Sequence, residues 1–334
     1  MLEKPDLPDE KLVSCLRNGY GLEIVQVAFL PLGADVNTAV YRAAGEDGTP
    51  YFVKLRGGVF DELTVAMPRF LRDQGIEQII TPVETLAGQL WTQVEGFTVS
   101  LYPFVEGRNG FEVQMPDRHW QELGAALKGI HTAVLPWALR ERVPQETYGP
   151  HWRDMVRTFQ ASAEEMAYDD PIAAEVAAFL RSRRGIISDL VGRAEELGKE
   201  LRERSLKCVL CHGDIHAGNV LIGADGSLYI VDWDTLILAP KERDLMFIGA
   251  GIGGVWKNAH EEVKFYEGYG HAEVDAMALA YYRYERIVED IAAFCGQLLL
   301  SDEGGEDRQE ALRYLVGSFL PNHVVDIAYA LDKT

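Results

Sequence analysis

The chain has 334 residues, 47% hydrophobic and 25% charged, the balance of a globular protein long enough for one large domain or two modest lobes. A formal charge of −20 speaks against nucleic-acid binding, which usually needs a basic stripe, and suits solubility and a cationic small-molecule ligand. No run approaches the ~20 apolar residues of a membrane span, the first residues lack an apolar targeting segment, and four cysteines do not make a disulfide framework. A cytoplasmic monomer or homodimer is expected, with no membrane and no nucleic-acid partner.

In chain order, residues 8–18 suit a short helix ended by the Gly19/Gly21 pair. Strand-like runs follow at 24–30, 36–43 and 51–55, joined by short turns that favour antiparallel hairpins over crossovers. Leu63, Ala66, Met67, Phe70 and Leu71 then fall on one helical face, with Pro68 expected to kink that helix or delay its start. Runs at 78–85 and 97–104 are expected to complete a small sheet. After Tyr102-Pro103-Phe104-Val105-Glu106-Gly107 helical patterns dominate, at 116–132, 152–166, 172–204 and onward to near the C-terminus. Strands return only at 207–211, 220–222 and 228–231. The expected class is α+β, with a β-rich N-terminal lobe over residues 1–104 and a mainly helical lobe over 105–334.

The chemistry concentrates between those late strands. In Cys211-His212-Gly213-Asp214-Ile215-His216-Ala217-Gly218-Asn219, Asp214 and Asn219 stand five positions apart behind a histidine, the H-x-D-x-x-x-x-N spacing of a kinase catalytic loop. Phosphoryl transfer needs a carboxylate to orient the attacking hydroxyl and take its proton. It also needs a side-chain oxygen nearby to hold the magnesium that screens the phosphates. Asp232, at the end of Tyr229-Ile230-Val231, supplies a second metal-binding carboxylate. Lys54, near the end of the aromatic and β-branched strand Tyr51–Leu55, suits the α/β-phosphates, with Glu62 (Asp61 its near rival) to fix its rotamer. The turn holding Asn37 and Thr38 lies where a phosphate-covering loop belongs. It carries neither G-x-G-x-x-G nor a Walker pattern, so an ordinary hairpin turn fits it equally well. His212, Asp214 and His216 also permit a hydrolytic metal site, which would leave Asn219, Asp232 and Lys54 unexplained. His212 is expected instead to pack beneath the loop and His216 to serve as scaffold. The Cys208/Cys211 pair reads as strand core rather than a metal or redox motif.

These residues resemble the aminoglycoside phosphotransferases, which share a protein-kinase-like two-lobed fold with choline kinases. The likeness is carried by the Cys211–Leu221 segment, by Ile230-Val231-Asp232-Trp233-Asp234 and by the stretch from Leu238 to Gly249. Two further stretches, 265–270 and 281–292, place it nearest the members that act on spectinomycin. The resemblance implies Asp214 as catalytic base, Asn219 and Asp232 as magnesium ligands, and Lys54 with Glu62 at the phosphates of ATP or GTP. It implies Tyr102, Pro103, Phe104 and Val105 as the hinge whose backbone meets the adenine, and Asp244 as a brace for the catalytic loop. Asp232 is followed by Trp233-Asp234 rather than by glycine, which leaves Asp234 between metal and acceptor.

The implied acceptor is a cationic aminocyclitol or aminoglycoside, spectinomycin first, whose pocket should offer carboxylates and an aromatic wall. On the helix after residue 280, Ile287, Ile291, Phe294 and Leu298 form an apolar stripe at 100° per residue. Glu285 and Glu289 lie opposite, where a solvated face is the plain alternative, and Asp290 flanks the stripe. Trp256 is a candidate for the cleft mouth. Competing readings are a kinase of a small metabolic alcohol (choline, homoserine or a sugar) and a non-catalytic nucleotide-binding pseudokinase.

Overall fold

A computed structural model describes residues 3–33, 35, 37–302 and 304–331. The expected strand start at Val36 lies outside them. Along the chain run α1 (Asp9–Tyr20), β1 (Ile24–Leu30), β2 (Thr38–Gly45), β3 (Pro50–Arg56), α2 (Leu63–Asp73), β4 (Thr92–Val94), β5 (Phe97–Pro103) and β6 (Gly107–Asn109). Five helices follow: α3 (Asp117–Thr132), α4 (Trp137–Arg140), α5 (His151–Glu165), α6 (Pro171–Ser182) and α7 (Arg184–Arg202). Next come β7 (Cys208–Cys211), β8 (Val220–Gly223), β9 (Leu228–Ile230), β10 (Ile237–Pro240) and α8 (Glu242–Leu245). The remainder is helical: α9 (Ala259–Tyr269), α10 (Ala276–Leu299), α11 (Gly305–Gly317) and α12 (Val324–Leu331). Among the described residues, no helix is long and apolar enough to cross a membrane. The elements fall into two compact units. The first runs to Val113 and includes Ala133–Val143 and Asn219–Thr235; the second holds Gln114–Thr132, Pro144–Gly218 and the chain from Leu236.

The first unit is built on a five-stranded antiparallel sheet in the order β1-β2-β3-β5-β4. Alternation along its strands decides which residues are core. Ala39, Tyr41 and Ala43 of β2, Val53 and Leu55 of β3, and Val99 and Leu101 of β5 are buried with Leu12, Leu16 and Tyr20 of α1. One α1 face therefore closes one face of the sheet. The pleat sends the intervening Lys54 and Arg56 to the opposite face, as the two-residue period requires. A second sheet, β6-β8-β9, places the Asp232 segment directly after its last strand.

Two local expectations change here. Residues 78–85 do not form a strand: Ile79 makes one parallel bridge to Ile230, Val83 donates to Leu101 O at 2.7 Å, and the chain then turns through Thr85–Gly88. Pro82 has no N–H to continue a ladder, so the short β4 takes the edge instead. Pro68 does not delay α2, which starts at Leu63 and buries the proline in its second turn.

In the second unit α10 packs against α5, α7, α11 and α12. Its expected stripe is buried at Ile287, Ile291 and Leu298, while Phe294 is partly covered and stacks on Tyr314 at 6.1 Å. The pattern expected as one helix over 172–204 is two, α6 and α7, divided at Arg183. β7 and β10 pair antiparallel beneath the segment that follows Cys211. Their shortness, and Pro240 in β10, hid the second strand from a periodicity argument.

Candidate active site

In the first unit, β3 and the segment after β9 assemble a cluster of charges. Lys54 Nζ lies 2.9 Å from Asp232 Oδ1 and 2.9 Å from Asp234 Oδ2. Burial works against the lysine charge, but the two carboxylates outweigh it and hold its pKa above the ordinary value. Arg56, two residues along the strand on the same face, places Nη1 2.7 Å from Asp234 Oδ2 and 3.1 Å from Asp35 Oδ2. Asp35 in turn accepts from Asn37 N at 2.9 Å and Thr38 Oγ1 at 2.7 Å, so this turn is closed on its own aspartate. Asp232 sits at φ 64°, a left-handed conformation rare for a side-chain-bearing residue, and its carboxylate is half exposed. Val231 N donates to Asn219 O at 3.0 Å, tying the segment of one expected metal ligand to that of the other.

The expected Lys54–Glu62 pair is not the one present. Glu62 is exposed at the start of α2 and pairs with Arg142 at 3.5 Å, while Asp232 and Asp234 hold the lysine. Asp234 is thereby part of this cation cluster. In the Tyr102–Val105 connection, the Phe104 N–H donates to Pro50 O at 3.2 Å, and Tyr102 packs edge-on against Phe52 at 6.4 Å.

In the second unit, Gly213 at φ 85° turns the chain out of β7 and presents Asp214. Beneath it Asp244, with no exposure, accepts from His212 N at 2.9 Å and Gly213 N at 2.7 Å and meets His131 Nε2 at 3.0 Å. Burial pushes its pKa up, but these partners outweigh that and keep it lowered. His212, also without exposure, uses Nδ1 to accept from Asp214 N at 3.3 Å. His216 Nδ1 accepts from Gly218 N at 3.0 Å, so a neutral His216 carries its proton on Nε2, the atom 3.5 Å from Asp214 Oδ2. Cys211 directs its thiol at the Ala239 and Pro240 carbonyls, and burial raises its pKa well above the ordinary value. It is strand core, as expected.

The partner of Asp214 is Arg286 of α10. Arg286 Nη1 donates to Asp214 Oδ1, Nε stands 2.9 Å from Asp290 Oδ1, and the guanidinium lies 5.6 Å from the Phe247 ring centre. Burial opposes the charge of Asp214, but Arg286, with His216 and His212, holds its carboxyl well below the usual carboxylate range. Arg286 and Asp290 also line an open pocket. Its apolar walls include Met246 and Ile252 after α8, Ile287 of α10, and Val324 and Ile327 of α12.

Two expected acceptor residues, Trp256 and Glu285, are packed into the core, and a third, Glu289, lies beside Arg286 and Asp290. Trp256 is buried and packs edge-on against Trp120 with centroids 5.1 Å apart, a core contact rather than a cleft mouth. Glu285 is not on a solvated face: it is buried and paired with Arg153 at 2.6 Å, and burial pushes its pKa up to about 7. Glu289 is partly buried and pairs with Arg243 at 3.4 Å. Only Asp290 of the expected acids lines the pocket. Sequence reasoning passed over Arg56 and Arg286. Each carried a signal: Lys54-x-Arg56 repeats a cation at the strand period, and Arg286 stands four residues before Asp290 on a helix. The wall supplied by α12 had none.

The profile of a phosphotransferase enzyme family matches residues 29–282. The chain is 42% identical to a spectinomycin phosphotransferase, APH(9)-Ia, whose structure with ADP and spectinomycin superposes with a TM-score of 0.92, covering 99% of this chain and 100% of that one. The AMP-bound complex of the same enzyme gives 42% identity and a TM-score of 0.87, covering 96% and 98%. A curated relative, Protein StrN of Streptomyces griseus, is 25% identical over 253 residues, 73% of this chain and 76% of that protein. The expected α+β kinase-like fold, with an antiparallel sheet first and helices after, is the fold these comparisons return.

Proposed function

Because the chain belongs to the phosphotransferase enzyme family, an enzyme class that phosphorylates a hydroxyl, we propose that its reaction moves the γ-phosphoryl group of ATP, with Mg²⁺, to spectinomycin or a close aminocyclitol. The observation that carries this reading is the end-to-end similarity, at 42% identity, to an enzyme crystallised with ADP and spectinomycin. The local chemistry supports it. We assign the nucleotide to the first unit, through Lys54, Asn219 and Asp232, and the acceptor to the second, through Asp214 and the pocket beside Arg286.

Asn219 and Asp232, with Asp234 beside them, offer only amide and carboxylate oxygens, the hard donors that suit Mg²⁺. Magnesium held there would screen the phosphate charge. Lys54 supplies the cation for the α/β-phosphates. Since the Phe104 N–H is already engaged, adenine contacts fall to neighbouring main-chain groups between Pro103 and Val105. In the transfer itself, the acceptor oxygen bonds to the γ-phosphorus as the bond to the β–γ bridging oxygen breaks, and that electron pair leaves with ADP. Asp214 receives the hydroxyl proton and later returns it to solvent. The transition state of such transfers is loose, so orientation and charge stabilisation supply most of the acceleration.

Purified protein should consume ATP when spectinomycin is added, in a screen that also holds other aminoglycosides, choline, homoserine and simple sugars. Strong turnover with choline or a sugar and none with spectinomycin would overturn the substrate assignment. Repeating the screen with GTP fixes the donor. The pocket gives a sharper prediction. Ile327→Trp fills part of it, so the spectinomycin KM should rise about tenfold or more while ADP affinity holds. Steady-state kinetics and calorimetry check the two halves separately.

A further inference from the structure

We propose that Arg286 is a positioning residue for the transfer step: it fixes the orientation of the Asp214 carboxylate and couples that orientation to the wall of the acceptor pocket. The proposal rests on the phosphotransferase reading above. Its support is geometric. One guanidinium is shared between two carboxylates, with Asp214 at Nη1 and Asp290 at Nε, and lies over the Phe247 ring. Its side chain is only 17% exposed. Its base is rigid, since the residues on either side, Glu285 and Ile287, are both buried and Glu285 is anchored to Arg153.

Such restraint matters because a carboxylate on a loop can rotate. Arg286 takes Oδ1, leaving Oδ2 on the side of His216. The planar guanidinium donates to Asp214 through Nη1 while its Nε lies in charge contact with Asp290, and it sets direction better than a lysine ammonium on a flexible stem. The charged and titratable groups around Asp214 in this unit are His212 and His216 on its own loop, Asp244 beneath, and Arg286, Glu289 and Asp290 on α10. Arg286 is a permanent cation in direct contact with Asp214, and Arg243 faces the same group through Glu289 at 3.4 Å. Burial alone would favour a neutral Asp214, so without Arg286 the carboxylate would lose both its charge support and its direction. Because Arg286 and Asp290 also line the pocket, an acceptor seated there lies against the group that holds the base. The rival idea is that Arg286 merely occupies the place of the cationic acceptor and leaves when it binds.

The test uses full-length Arg286→Ala, Arg286→Lys and Asp290→Asn, each with ADP affinity measured by calorimetry as a check on folding. Arg286→Ala should lower kcat about 100-fold, since a small misplacement of a reacting group costs on that order. The acceptor KM and ADP affinity should stay within about threefold. Arg286→Lys should recover part of kcat, and added guanidinium should recover part of the activity of the alanine variant. Unchanged kcat in Arg286→Ala, or a loss residing wholly in acceptor KM, would overturn the proposal. A lower acceptor KM with kcat intact would establish the placeholder instead. If the alanine variant no longer binds ADP, the other two decide: kcat falling about tenfold in Asp290→Asn and Arg286→Lys supports positioning, and wild-type kcat in both refutes it. Should spectinomycin fail as acceptor, the same ratios are taken with whichever alcohol supports turnover, or with water in slow ATP hydrolysis, so the substrate assignment and the role of Arg286 fail separately.

Discussion

Asp214→Asn should reduce phosphoryl transfer about a thousandfold or more while ADP affinity stays near wild type. The asparagine keeps the size of the side chain but cannot take the hydroxyl proton, and it loses the charge that Arg286 pairs. Lys54, Asn219 and Asp232 are untouched, so a calorimetric titration with ADP separates binding from chemistry. Near-wild-type turnover in this variant would remove Asp214 from the mechanism. A pH statement goes with it. The pKa of Asp214 is lowered, so its ionised, active form persists as pH falls and is lost only below the ordinary carboxylate range. Between about pH 8 and pH 5, no loss of activity should arise from this group.

Asp244→Asn should cost about 3–5 kcal/mol of stability, because a fully buried carboxylate with several donors aimed at it is being neutralised. His212 N, Gly213 N and His131 Nε2 all face its two oxygens. An amide must turn its own NH₂ toward one of those donors, leaving a buried donor unpaired. Thermal unfolding measures the effect, and a shift within error would mean the brace is dispensable. The linkage sign follows from the lowered pKa. The stability Asp244 contributes is present above its unfolded pKa of about 3.9 and is lost as pH falls through the lower folded value. The variant should therefore differ most from wild type near neutrality and least in strong acid. It should also lose activity, since Gly213 and Asp214 leave β7 from the anchored peptide.

The parts legible in the sequence were those with a short period or a fixed spacing. Strand β1 was bounded as it stands, and the strand that carries Lys54 was read at 51–55, within β3. The His212–Asn219 spacing pointed to a phosphotransferase before any fold was drawn. What stayed hidden was long-range pairing. Lys54 could be expected to seek a carboxylate, but nothing local said that Asp232 and Asp234, rather than Glu62, would hold it. Glu285 of α10 misled for a related reason. A helical wheel assigns Glu285 to the polar side, yet α10 is covered on more than one side, and Arg153 of α5 makes the buried charge tolerable. Trp256 was ambiguous by nature: a large aromatic after a glycine run suits a pocket rim or a core, and its edge-on contact with Trp120 decides for core.

The ion pair between Lys54 and Asp232 spans 178 residues of chain. The sheet that carries Lys54 is built from hairpins and local turns, so a nascent chain holds everything needed to pair it once Pro103 has been made. Its counter-charges arrive only after the segments that form α3 to α7 have been synthesised. Until then Lys54 and Arg56 project from the sheet without Asp232 and Asp234. The nucleotide site is therefore late in the order of synthesis, and a chain truncated before residue 219 would carry a sheet whose Lys54 lacks Asp232 and Asp234 and whose Arg56 is left with Asp35.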